Sequence, residues 1–451
     1  MRHLSSRFLL VLLWCIACAS CEILRQPTLD GTEKVRFVRP EWFGAVNDGK
    51  TDCTEAIQRM FDFMAQYNVY DCKFDKCEYE KNQYYLISKT IYIRKPVKID
   101  GHKAFISSRS LITLGNDPNN KAYLTDGIAF RILGTKETTP KCTDISINIK
   151  VHAKPFYLDR LKNAYFHDCT VSTFTGDTAI TRGTYTFWYA FQCDELCNAR
   201  FENIHIDQPT WDNKYNSGDG IHLSGGCHDI MIQNVWGQAG DDFIAMNTNE
   251  NHSGDIYNII IRNCTIGKDK ISRGGIRFYG CSRLSHVYGK PQLKISNVKI
   301  YGCDIRTDFS PCVFFANNGF WGIIDKESQK LAVNDVSIKN CNLHYESKYW
   351  KDIPAIFISG TECDNLEFER IFADKSTHVP LFGLNGFNDI KAIDIKRCGK
   401  KNMSDVEIYV KKDEEFVKNN SEATRGNKGE MIFNKNTKKG LLIRNGIVSV
   451  K

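Results

Sequence analysis

Beyond its first twenty or so residues, this 451-residue sequence has no apolar run approaching 18 residues, so the rest of the chain carries no α-helical membrane span. It also lacks charge of one sign. Sixty Lys+Arg stand against 53 Asp+Glu, and a net +7 over this length is slight support for an anionic partner and none for nucleic acid. The strong helix formers Ala and Leu are scarce beside Ile, Asn, Gly, Tyr and Phe, which leans towards β structure. After the N-terminal segment no Cys-x-x-Cys pair is matched by a second, which removes a zinc-ribbon reading, and no Gly-rich loop opens a helix to cradle a phosphate. No metal and no cofactor are therefore expected. What is present is ordinary globular composition, 42% hydrophobic and 25% charged, which excludes a disordered chain. The length allows about three domains at ~150 residues each, or one solenoid or barrel.

Arg2 and Arg7 precede the apolar run Phe8 to Ala19, which is too short to span a bilayer and reads as a signal peptide ending near residue 21. Ala19-Ser20-Cys21 resembles the end of a bacterial lipoprotein signal, although Cys18 replaces the usual Leu. A lipid anchor at Cys21 and simple cleavage near Ala19 both stand. Either predicts an exported protein, secreted, periplasmic or held at the cell surface; a monomer is expected.

Exported chains with many cysteines invite a disulfide reading. Here the positions argue otherwise. Asp168-Cys169, Asn263-Cys264, Gly302-Cys303, Asn340-Cys341 and Arg397-Cys398 share a slot that Ile204, Val235 and Ile371 fill after Asn203, Asn234 and Arg370. A slot that takes Cys, Ile or Val is small, buried and apolar. Its spacing averages about 33 residues, with gaps of 27 to 39. Asp255 to Ile261 and Leu293 to Ile300 alternate apolar and polar residues or run apolar between Gly and Asn turns, with no sustained helical period. The expected fold is all-β, a right-handed parallel β-helix with one coil per repeat. The gaps of 39 and 38 residues, ending at Cys303 and Cys341, predict long loops. Cys72 with Cys77, and Cys193 with Cys197, are close enough to close small loops, though sequence alone does not establish those bonds.

Thr54 to Tyr67 is the one convincing amphipathic helix, with Ile57, Met60, Phe61 and Met64 on one face, and it is expected to cover the first coil's open edge. The predicted organisation is a signal at 1–21, a cap at 22–90, the β-helix at 91–400 and a C-terminal cap at 401–451. Short strand-like pieces recur there at Met431 to Phe433 and Gly440 to Val450.

Chemistry is expected where carboxylates meet on adjacent coils. Aligning Asp219-Gly220-Ile221-His222-Leu223 with Asp242-Phe243-Ile244-Ala245-Met246 through their apolar residues puts Asp219 in one column with Asp242, and Asp241 beside it. Three carboxylates so close cannot all ionise freely, so one is pushed up and supplies an acid beside an ionised base. Glycoside hydrolysis needs that pair.

At these residues the sequence resembles glycoside hydrolase family 28, the polygalacturonases, within the pectate-lyase-like β-helix superfamily. Gly240-Asp241-Asp242 matches one family motif fully, Ser217-Gly218-Asp219-Gly220 matches another at Asp-Gly, and Trp42 to Asp52 looks like the superfamily's opening segment. The resemblance implies that Asp241 is the general acid and that Asp219 and Asp242 activate water in an inverting hydrolysis. Two departures stand out. Gly274 occupies the family's histidine position, and nothing around Phe314 matches its Arg-Ile-Lys. A substrate other than plain polygalacturonate is therefore expected: a pectin-like, acidic or branched glycan. Arg277 and His222, in the outward column beside the carboxylates, are candidate substrate contacts. Trp211, Tyr279 and Phe314 are candidate sugar-stacking aromatics, with Trp188, Tyr215 and Trp321 near the same face. Two other readings remain. One is a calcium-dependent polysaccharide lyase with the Asp cluster on the ion and Arg277 as base; the other is a non-catalytic glycan-binding protein.

Overall fold

The computed structural model describes residues 35–108, 128–134, 143–151, 154–173, 186–187, 189–209, 216–248, 252–280, 293–317, 331–346, 353–374, 377, 379, 381–384, 389–390 and 392–400, and the strands at 406–410, 430–434, 441–444 and 447–450. The strand Ile256–Arg262 shows how its repeat is built. Ile256, Ile259 and Ile261 are buried and Asn258 is exposed, so the alternation slips by one residue at Asn258. Asn258 lies at φ 57°, in the left-handed region, where Asn and Asp are tolerated. It turns the chain outward for one residue and returns the next side chain to the interior.

This corner recurs in register. Asn163, Asn198, Asp229, Asn258, Asn297 and Asp335 occupy it on successive coils, all with positive φ. A second corner holds Asp168, Asn203, Asn234, Asn263, Gly302, Asn340, Arg370 and Arg397. The residues that follow the second corner are Cys169, Ile204, Val235, Cys264, Cys303, Cys341, Ile371 and Cys398, all buried. They are the slot expected from the sequence. Side-chain amides tie coil to coil along both corners, as in Asn297 Nδ2 donating to Asn258 Oδ1 at 2.7 Å and Asn203 Nδ2 donating to Asp168 Oδ1 at 3.0 Å.

The coils stack into a 20-stranded sheet and a 12-stranded sheet, parallel apart from their C-terminal strands. This is a parallel β-helix. Between the sheets the interior repeats itself from coil to coil: Phe156 stacks on Phe191 at 5.1 Å, Phe166 on Phe201 at 5.5 Å and Phe278 on Phe315 at 4.2 Å. Cys72, Cys77, Cys193 and Cys197 are free thiols, so neither local disulfide considered from spacing is formed. The long loops expected before Cys303 and Cys341 fall at 281–292 and 318–330, outside the described residues, as does the signal segment.

The helix α1 forms as expected, Thr54–Tyr67, and buries Ile57, Met60, Phe61 and Met64. It packs on Ile91–Ile93, the edge strand of the 12-stranded sheet, with Phe61 edge-on to Phe130. Gln58 completes the cap: its Nε2 donates to the Tyr92 carbonyl at 3.1 Å, and its Oε1 accepts the Tyr92 N–H at 2.8 Å. One side chain thus satisfies the backbone of the exposed edge. At the other end Glu430–Asn434 pairs antiparallel with Val406–Val410, and Leu441–Arg444 with Ala392–Lys396. No helix among the described residues is long and apolar enough to cross a membrane.

Candidate active site

The inward column that fixes the site runs Phe191, Ile221, Ile244, Ile276, Val313 and Ile356, each opposite the next. The register is the one expected from the sequence, with Ile221 on Ile244 and Leu223 on Met246. Two residues upstream of this column, successive coils present Tyr189, Asp219, Asp242 and Gly274. Asp241 enters one residue earlier.

The three carboxylates meet. Each offers an oxygen, all within 4.8 Å of one another. Asp219 and Asp242 are buried, 5% and 2% exposed, while Asp241 is half-buried and so is the member a substrate can reach. The Asp242 backbone N–H donates to Asp219 Oδ1 at 3.0 Å, locking the two coils together. Asp219 Oδ2 lies 2.5 Å from His222 Nδ1, and the His222 ring is stacked on Tyr189 at 4.4 Å, 5° from parallel. Arg277 Nη1 donates to Asp242 Oδ2 at 3.0 Å.

Burial drives the Asp241 carboxyl well above the usual carboxylate range, and the charges of Asp242 and Asp219 push it further. Burial also raises Asp242, to about 6, against the pull of the Arg277 guanidinium. The environments therefore separate two adjacent acids, Asp241 holding its proton where Asp242 has lost its own. That division is what general acid–base chemistry requires.

Several of the roles expected from the sequence change once the side chains are placed, because burial decides what a sugar can touch. Phe314, expected as a sugar platform, is 0% exposed. It packs against Phe357 at 5.8 Å and forms a wall 5.3 Å from the Arg277 guanidinium. His222, expected near a substrate hydroxyl, is only 2% exposed and holds Asp219 instead. Arg277 lies outside the helix interior as its register requires, yet it is 9% exposed, ion-paired to Asp242 and 4.6 Å from the Tyr279 ring. It acts on a carboxylate of the protein. Tyr279 is half-buried at the edge of this group. Trp211, with Trp188, Tyr215 and Trp321, lies outside the described residues.

Two basic residues near the triad were not foreseen from the sequence. Lys154 stands two residues before Phe156, hence in the same column as Tyr189, Asp219 and Asp242. It donates to Gln192 Oε1 at 2.7 Å and lies 5.0 Å over the Tyr189 ring. Carrying the apolar alignment one coil back from Phe191 would have found it. Arg273 precedes Gly274 and so follows Asp241 in its column; its charge favours ionised Asp241. Gly274 has its own reason. A Cβ there would sit 2.4 Å from Asp242 Oδ1, so the Asp242 carboxylate already occupies the space that a side chain at this position would need.

A carboxylate triad of this kind can hold a cation, but two of its members already have partners within the protein. Asp219 faces His222 and Asp242 is bound to Arg277. Calcium takes six to eight oxygens, and this donor set fits that poorly.

No family model and no curated relative matches the chain. It is similar in structure to a surface adhesin of Streptococcus pneumoniae, at 13% identity over 83% of this chain and 89% of that one, TM-score 0.49. A family 28 exopolygalacturonase of Yersinia enterocolitica is similar at 12% identity over 82% and 75%, TM-score 0.48. The tailspike protein of Escherichia coli bacteriophage HK620, solved as a mutant in complex with a pentasaccharide, is similar at 11% identity over 76% and 63%, TM-score 0.44.

Proposed function

We propose that this protein is an exported glycoside hydrolase that cleaves acidic or branched glycans on the outer face of its 12-stranded sheet. The observation that carries the reading is the triad itself, three carboxylates meeting from adjacent coils: a half-buried Asp241 pushed furthest towards its protonated form, beside a buried Asp242 that is raised less because it is ion-paired to Arg277. Asp241 donates its proton to the glycosidic oxygen as the bond breaks, and charge builds on the sugar ring as an oxocarbenium ion. The carboxylates of Asp242 and Asp219 stabilise that charge and take a proton from the water that attacks the anomeric carbon, so that the sugar gains the hydroxyl and the leaving group the Asp241 proton. His222 holds the Asp219 carboxylate in place, and Arg277 holds that of Asp242. The family resemblance implies inversion through an activated water.

The test is product analysis on pectic, rhamnogalacturonan, galactan and sulfated glycans. New saturated reducing ends support a hydrolase. Unsaturated ends point to the lyase, and binding without turnover to a glycan-binding protein; either outcome sinks the proposal. The anomeric configuration of the first-formed product, read by proton NMR, separates inversion from retention.

A further inference from the structure

A second cluster of chemically active side chains lies at the far end of the same short strands, after Ile221–Leu223 rather than before it. Cys197 opens the strand Cys197–Asp207, and His228 opens the strand of the next coil, directly opposite in register. Asp229 follows His228. One donor atom from each of Cys197, His228 and Asp229 falls within 4.8 Å of the others.

Exposure sets Cys197 apart, and side-chain pairing sets His228 and Asp229 apart. The other twelve cysteines among the described residues are buried, and Cys197 alone among them is partly exposed. Asp229 occupies the first αL corner, where Asn163, Asn198, Asn258 and Asn297 stand on four coils and a second carboxylate, Asp335, on another. A carboxylate has no hydrogen to donate, so it cannot hand the amide chain on to Asn198. Its Oδ1 accepts from Asn258 Nδ2 at 2.7 Å, while Oδ2 turns sideways to within 2.7 Å of His228 Nδ1. The imidazole is fixed on its other side by parallel stacking on Tyr257 at 4.6 Å, 4° from coplanar. Cys197 and His228 also line an open groove with Glu195, Lys162 and Arg160.

We propose that Cys197, His228 and Asp229 form a binding site for a thiophilic divalent transition metal such as Zn²⁺, with a fourth position open to the groove. Thiolate, imidazole and carboxylate are the donors such ions prefer, and three protein ligands with one open position is the arrangement of a reactive rather than a closed structural site. A hard ion such as Ca²⁺ has no use for the sulfur. Loading displaces the thiol proton, so binding releases acid. This site is independent of the carboxylate triad and of the hydrolase proposal.

The experiment is a Co²⁺ titration of the full chain, followed by optical absorption, with Zn²⁺ then added as competitor. The expected result is a thiolate-to-cobalt charge-transfer band saturating at one equivalent, displaced by Zn²⁺, and lost in Cys197→Ser. His228→Asn is expected to weaken binding at least tenfold while the fold, followed by circular dichroism, is kept. Asp241→Asn is expected to leave the band unchanged. A band that survives Cys197→Ser, or the lack of any band together with no Zn²⁺-dependent change in Tm, would overturn the proposal.

Discussion

The inward column of the 12-stranded sheet and the turns that lead into its strands obey opposite rules. Inward, the column Phe191, Ile221, Ile244, Ile276, Val313, Ile356 repeats one chemistry at every coil. Just before these strands, the column Tyr189, Asp219, Asp242, Gly274 changes at every coil, and no residue can stand in for its neighbour. The inward column defines the fold many times over, so that one poor residue is averaged away. The turns state their chemistry once. Mutations should therefore cost activity without stability in the turns, and stability without activity in the inward column.

The largest break in that comparison is expected at Asp241. Asp241→Asn should lower turnover by about 10²- to 10⁴-fold, roughly 3 to 5 kcal/mol of barrier, with the circular dichroism spectrum unchanged. The same variant sharpens the contrast through its pH dependence. A carboxyl whose pKa is raised on folding favours the folded state fully below its unfolded value and loses that contribution as pH rises through the folded one. Asp241→Asn should thus match the parent in Tm near pH 4 and exceed it at pH 8. A Tm below the parent's at pH 8 would show that the Asp241 carboxylate stabilises the fold.

Arg277→Ala crosses the boundary, because it is an outward residue whose charge is buried against Asp242. Removing one partner of such a pair typically costs about 3 to 5 kcal/mol. Denaturant unfolding should show that loss, and the acid limb of the pH–rate profile should move up as Asp242 loses the cation that holds its carboxyl down. Unimpaired cleavage of unbranched polygalacturonate by this variant would refute the substrate reading. On the repeating side, Asn234→Ala forces an alanine into the left-handed corner at φ 51° and should cost about 1 to 2 kcal/mol with activity per folded molecule intact. The smallest effect is expected for Cys303→Val, a swap the slot already makes at Val235, at under about 1.5 kcal/mol.

Repetition also explains what could be read from the sequence. The coils, the cysteine slot, the register of Ile221 on Ile244 and the helix Thr54–Tyr67 were all legible, because a pattern repeated eight times outweighs its local irregularities. The triad was legible through the same register. The fates of Phe314 and His222 were not. Alternation tells which side of a strand a residue leaves from, and neighbouring chain then decides whether that side is open. Phe314 leaves outward and is covered by Phe357 and Tyr279; His222 leaves outward and is covered by Tyr189. Gly274 read as a loss, and the space it leaves is filled by Asp242.

The two ends of the stack stop in different ways, a glutamine amide at Tyr92 and a reversal of strand direction beyond residue 400. Neither device touches the coils between them. A coil duplicated in the middle would therefore move everything after it by about 4.8 Å along the axis while leaving both terminations and the Asp219–Asp242 pairing as they are. On the proposed hydrolase reading, the length of surface beside the site is thus a quantity that whole-repeat duplication can tune in steps, separately from the carboxylate triad itself.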